Sequence, residues 1–232
     1  MKRFYKEARA IAADDGFAIE LDGKKLQTPD KRELRVPRQA LAKAIAVEWQ
    51  GQGVTVRPLT LPLTRLVSTA LDRVAPRRAE VIAELAKYAA TDLLCYRADD
   101  PPELAKRQKC HWQPLLDWAA ERYDAALSVT AGITPVPQAP AAIVAIERAI
   151  AAHDAMLLVA LHLATTSCGS VVLGLALLAG RITPEEAFAA AQLDENFQIE
   201  RWGEDAEQIQ RRAALNEDLA LAARFAALLR TD

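Results

Sequence analysis

The sequence predicts an α+β chain: a small β-rich N-terminal domain with one helix over residues 1–60, then a larger all-helical C-terminal domain over residues 61–232. Three observations predict it. Apolar and polar residues alternate in short runs before Pro37, and every clear period beyond Pro62 is helical. The third is composition: 51% hydrophobic and 26% charged residues is that of a globular protein. A chain of this length buries roughly 70–75% of its unfolded surface, so it needs no covalent staples.

Phe17-Ala18-Ile19-Glu20-Leu21 alternates and is followed by the turn signal Asp22-Gly23. Lys24–Thr28 and Glu33–Val36 read as further short strands around Pro29-Asp30, giving an antiparallel meander. Pro37 opens a helix with the stripe Leu41, Ala44, Ile45 and Trp49, ending at Gly51 or Gly53, and Val54-Thr55-Val56 reads as a short strand. Beyond it, Leu63, Leu66, Val67, Ala70, Leu71 and Val74 form one helical stripe, and Ile82, Leu85, Ala86 and Ala89 a second. Pro101-Pro102 opens a helix carrying Leu104, Trp112, Leu115, Leu116, Ala119 and Tyr123. Thr130–Pro140, rich in proline, reads as a loop, after which Ile143, Ile146 and Ile150 share a helix face.

Residues 155–180 hold no charged side chain. Length alone permits a membrane span. The polar centre Thr165-Thr166-Ser167-Cys168-Gly169-Ser170, with no polybasic flank or aromatic belt, favours a buried central helix broken near Gly169. Next comes Thr183-Pro184-Glu185-Glu186, with an N-cap threonine, proline at the first helical position and glutamate three on, which is a capping box.

Six of the fifteen residues from Leu193 to Glu207 are acidic, and they surround Trp202-Gly203. If the helix continues through Gly203, Glu200, Glu204 and Glu207 form one ridge. Like charges at this spacing work slightly against the helix. The plain alternative is a solvated face with internal pairs Arg201–Asp205 and Glu207–Arg211, which leaves Glu200 and Glu204 without a basic residue four positions away. A partner-binding surface is the functional reading. Trp49, on a helix stripe, reads as core; Trp202 suits core or interface equally.

Other chemistry finds little support. Cys95, Cys110 and Cys168 form no CxxC pair, which suits a reducing compartment, and no cysteine or histidine spacing fits a metal. His162 reads as a satisfied core histidine. There is no Walker loop, no Gly-x-Ser-x-Gly and no dinucleotide fingerprint, so no cofactor or catalytic residue is expected. Net charge is +5 over residues 1–75, −2 over 76–180 and −5 over 181–232. Neither this balance nor the short basic stretch Lys106–Lys109 makes a nucleic-acid surface. The basic start, without a following apolar run, points to a cytoplasmic protein. A membrane-associated protein built around residues 155–180, and a small-molecule binder or enzyme using a cleft between the two domains, are the competing classes.

Seven segments in order resemble the assembly chaperone for the alpha subunit of the F-type ATP synthase catalytic head. They are Arg3–Glu7, Leu21–Pro29, Glu48–Gly53, Pro62–Leu66, Ala70–Arg73, Thr91–Arg97 and Phe197–Gly203. The resemblance implies an ATP-independent chaperone, β-rich then helical. It would shield the unassembled alpha subunit until the beta subunit takes over its interface. Relatives occur in mitochondria and bacteria; a start without a presequence points to the bacterial kind, and a monomer without membrane insertion is expected. The resemblance places the family's functionally sensitive acid at Glu185 or its neighbour Glu186. Partner contacts at Glu200, Trp202, Glu204, Asp205 and Glu207 rest on the charge argument above.

Overall fold

The computed structural model describes residues 2–132 and 134–231. Four strands open the chain: β1 (Ala8–Ala13), β2 (Gly16–Leu21), β3 (Lys24–Lys25) and β4 (Arg35–Val36). Helices α1 (Gln39–Gln50), α2 (Pro62–Thr69) and α3 (Arg78–Lys87) follow, then strand β5 (Tyr96–Arg97), helix α4 (Pro102–Tyr123) and strand β6 (Thr130–Ala131). The rest is helical: α5 (Pro140–Ala151), α6 (Ala155–Cys168), α7 (Val171–Leu178), α8 (Pro184–Ala191), α9 (Leu193–Trp202) and α10 (Ala206–Arg230). The fold is α+β, with its main sheet at the N-terminus and a larger helical remainder.

Contacts group the described residues into two units. One gathers residues 1–78, 155–160 and 224–232; the other gathers 79–154 and 161–223. Helices α6 and α10 each contribute to both.

In the first unit β2 is the central strand. It pairs antiparallel with β1 along its whole length, from Ala8↔Leu21 to Ala13↔Gly16. On its other side β3 pairs at Glu20↔Lys25 and β4 at Phe17↔Val36. The β2–β3 connection is the expected tight turn, with Asp22 and Gly23 both at positive φ, 47° and 79°. At Gly16, φ is +130° and an added Cβ would lie 2.5 Å from the Val36 carbonyl oxygen, so only glycine lets β2 begin there. Leu41, Ala42, Ile45, Ala46 and Trp49 are the buried positions of α1. Fully burying each larger side chain contributes roughly 1.5–3 kcal/mol.

Three readings need correction in this unit. Strand β1 was not expected, because Ala-Arg-Ala-Ile-Ala-Ala has little β propensity; its state is imposed by pairing with β2. The strands read over Lys24–Thr28 and Glu33–Val36 shrink to two residues each, plus an isolated bridge Gln27↔Glu33. Val54–Val56 is not a strand: it carries the isolated bridge Lys2↔Thr55, and the Val54 carbonyl accepts from the Arg3 N–H.

The polar side chains of the N-terminal segments bond backbone groups and one another. Arg3 donates to the carbonyls of Tyr5, Gln50, Gln52 and Lys6. The Tyr5 hydroxyl donates to the Trp49 carbonyl at 2.7 Å, and Trp49 Nε1 donates to Thr64 Oγ1 at 3.1 Å. Glu48 accepts from the Leu63 and Thr64 backbone N–H groups at 2.7 and 3.1 Å, satisfying donors at the start of α2. After α2 the chain widens into a π turn, Ala70–Val74. There buried Asp72 accepts from the Thr28 hydroxyl at 2.8 Å and the Asp30 N–H at 3.1 Å.

The second unit is built around α7, every residue of which is buried. The uncharged run breaks as expected: Gly169 sits at φ +66°, and Ser170 caps α7 by accepting from the Leu173 N–H at 3.0 Å. Asp92 fixes this break. Fully buried, it accepts from the Ser170 hydroxyl at 2.7 Å and from the N–H groups of Leu94 and Val172 at 3.1 and 3.2 Å. Burial raises its carboxyl to about 6, against those bonds, which favour the charged form. Trp112 on α4 is fully buried and donates through Nε1 to the Ala190 carbonyl at 2.9 Å. Thr130–Ala131 pairs parallel with β5, so the expected loop begins with a short strand. Among the described residues, no helix is long and apolar enough to cross a membrane.

Candidate functional site

The two glutamates at the head of α8 do different things. Glu186 completes the capping box: its Oε2 accepts from the Thr183 N–H at 2.8 Å, and Thr183 Oγ1 accepts from the Glu186 N–H at 3.2 Å. Glu185 projects to solvent. Its own backbone N–H, and then the Thr183 hydroxyl, hold its carboxyl below the usual glutamate range, so it is ionised at neutral pH. Both carboxylates are exposed and both bond groups at the helix end, Glu186 as the reciprocal partner of Thr183 and Glu185 through its own N–H and the Thr183 hydroxyl.

Glu200, Glu204 and Glu207 do not form one helical ridge. Helix α9 ends at Trp202, Gly203 turns the chain at φ 83°, and α10 begins at Ala206. The restart has its own reciprocal box: Asp205 Oδ1 accepts from the Gln208 N–H at 2.8 Å, and Gln208 Oε1 accepts from the Asp205 N–H at 3.2 Å. Glu200 ends α9, Glu204 and Asp205 lie in the turn, and Glu207 sits in the first turn of α10.

The ion pairs also differ from the local ones expected. Glu200 pairs with Arg107 on α4 at 2.7 Å, a bond that holds its carboxyl below the usual range. Glu204 pairs with Arg212 at 2.8 Å. Arg211 bonds Glu195 rather than Glu207, and Arg201 stacks on the Phe197 ring, its guanidinium 3.9 Å from the centroid. Arg212 gathers this edge: besides Glu204 it donates to Gln192 and Asn196 at 3.1 and 2.7 Å and lies over Phe188. Arg107 and Arg212 are the residues that sequence reading missed. Their signal was weak, because Arg107 is 93 positions from its partner and Arg212 lies eight beyond Glu204.

On this scaffold Trp202 is 76% exposed, with Ile209 exposed nearby in sequence. Among the described residues no ion pair reaches Glu185 or Glu207. The edge therefore presents a large exposed aromatic with carboxylates before and after it in the chain, of which Glu200 and Glu204 pair with arginines. Trp49, by contrast, is buried core, as expected. His162 corrects the core reading: it is half-buried, with Nε2 3.5 Å from the Glu84 carboxylate.

Among the described residues no group of three or more His, Cys, Asp or Glu gathers as metal ligands. Burial raises Cys95 and Cys168 to about 12, so neither is a nucleophile at neutral pH. Asp92 lies under the surface with its oxygens bonded to the backbone and Ser170.

A sequence model of the ATP12 chaperone protein family matches residues 2–120. The mitochondrial protein atp12 of Schizosaccharomyces pombe is 30% identical, over 94% of this chain and 78% of its own length. The crystal structure of Atp12 from Paracoccus denitrificans is 41% identical and matches with a TM-score of 0.95, covering 99% of this chain and 98% of that one. A point mutant of the same bacterial protein matches with a TM-score of 0.96 at 41% identity and the same coverage. The chain belongs to the ATP12 chaperone family, a family of ATP synthase assembly chaperones rather than of enzymes.

Proposed function

We propose that this protein is an ATP-independent holdase for the unassembled alpha subunit of the ATP synthase, working as a cytoplasmic monomer. It binds through the α8–α10 edge and covers the alpha interface until the beta subunit replaces it. Glu185, Glu200, Trp202, Glu204, Asp205 and Glu207 supply the contact, and Glu186 supports Glu185 by closing the cap. The observation that carries this reading is Trp202, 76% exposed between a helix end and a capped restart. A tryptophan left in water on an ordered edge is well suited to anchor an interface. Carboxylates around it set orientation and on-rate more than strength, so the complex weakens as salt rises.

Titration of the purified alpha subunit against wild type and Glu185→Lys tests the placement. An affinity lowered about tenfold, with an unchanged melting temperature, is expected of a charge at the contact. A variant that folds and binds like wild type would move the site away from α8.

A further inference from the structure

Eight large apolar side chains are exposed among the described residues, and Phe4, Val47, Val54 and Leu59 all come from the first sixty positions. Local geometry gathers them. Lys2 bridges antiparallel to Thr55, and the Arg3 N–H donates to the Val54 carbonyl at 2.9 Å, so the Phe4 segment runs beside Val54. Val47 and Val54 line one open cleft of about 540 Å³ that extends to Arg57 and Thr60, next to Leu59. Val54 and Leu59 are 79% and 80% exposed, more than any other large apolar side chain described.

The polar groups that would orient a small ligand in this cleft are already bonded. Glu48 holds the Leu63 and Thr64 N–H groups and the Thr64 hydroxyl. Gln52 donates to the Glu48 carbonyl and the Thr60 hydroxyl and accepts from the Arg57 N–H. The cleft itself mixes polar and apolar lining, and around it the exposed apolar side chains Phe4, Val47, Val54 and Leu59 stand among exposed cations: Lys2, Arg57, and Lys43 one turn before Val47 on α1. Exposed apolar surface rimmed by charge marks a protein contact, and a cationic rim selects acidic neighbours in the partner.

We propose that this face is a second client contact, taking an extended apolar segment of the unassembled alpha subunit that is flanked by Asp or Glu. The assignment rests on the alpha-subunit reading above. Val54 and Leu59 supply affinity, and Arg57 supplies charge selection. The two faces then read client segments of opposite sign, which a single acidic edge cannot do.

The test is titration of the full chain against the purified alpha subunit, at low and high salt, with three variants. A Val54→Glu/Leu59→Glu double variant is expected to bind at least about tenfold more weakly. Arg57→Glu should weaken binding less and flatten its salt dependence. Val144→Glu, at another exposed valine, should bind like wild type. If the double variant binds like wild type, this face is not a contact and the α8–α10 reading stands. If Val144→Glu weakens binding as much as the double variant, the assignment to this face is overturned. If wild type itself does not hold the alpha subunit, both readings fall.

Discussion

The N-terminal unit and the α8–α10 edge are both dense in carboxylates and amides, but they direct them oppositely. Around Arg3, Glu48, Gln52 and Asp72 the polar side chains bond backbone groups and one another. At the edge, Glu200 and Glu204 pair with Arg107 and Arg212, and Glu185, Glu207 and Trp202 are exposed. Polarity therefore does not mark a partner surface. The α8–α10 edge is proposed as one because a large aromatic, Trp202, stays exposed there after the fold has formed.

The largest effect should come from an inward carboxylate. Asp92→Ala leaves the Ser170 hydroxyl and two backbone donors buried without their acceptor, so chemical denaturation should show a loss of about 3 kcal/mol or more. A wild-type-like midpoint would remove Asp92 from its structural role.

The same residue sharpens the comparison through pH. Its folded value of about 6 lies above its ordinary value of 3.8, so the native state binds the proton more tightly than the unfolded chain. Its contribution to stability is greatest below the unfolded value, falls as pH rises toward 6 and is lost above it. Outward carboxylates such as Glu185 and Glu200, with lowered values, act in the opposite sense, favouring the fold above their unfolded values and fading on acidification. Denaturation at pH 4.5 and 7 should therefore show Asp92→Asn losing the Asp92 part of the slope, and a further point at pH 3 should show both proteins keeping the opposing part. Identical slopes in the two proteins would contradict the assignment.

Smaller effects separate the two tryptophans. Trp49→Phe removes a buried hydrogen bond to Thr64 and should cost about 1 kcal/mol of stability with client affinity kept. Trp202→Ala should leave the midpoint unchanged and weaken client binding about tenfold. An unchanged affinity would deprive the edge of its anchor.

Local signals were legible in the sequence and distant ones were not. The Thr183 capping box, the Asp22-Gly23 turn and the break at Gly169 each depend on a few adjacent residues, and each formed as read. Strand β1 was hidden because alanine does not announce a strand; β2 imposes it. The Glu200–Glu204–Glu207 ridge failed because Gly203 stops α9, a choice that helical spacing alone does not reveal. Glu200 looked unpaired because its arginine lies on α4. The resemblance segments were informative as an ordered set, yet some of their carboxylates serve the fold: Glu48, Asp72 and Asp92 face inward.

The most direct test of the holdase account is co-expression with the cognate alpha subunit followed by size-exclusion chromatography. The account predicts comigration in a complex that keeps the alpha subunit soluble and that disassembles when the beta subunit is added. An alpha subunit that elutes or aggregates independently of this protein would contradict it.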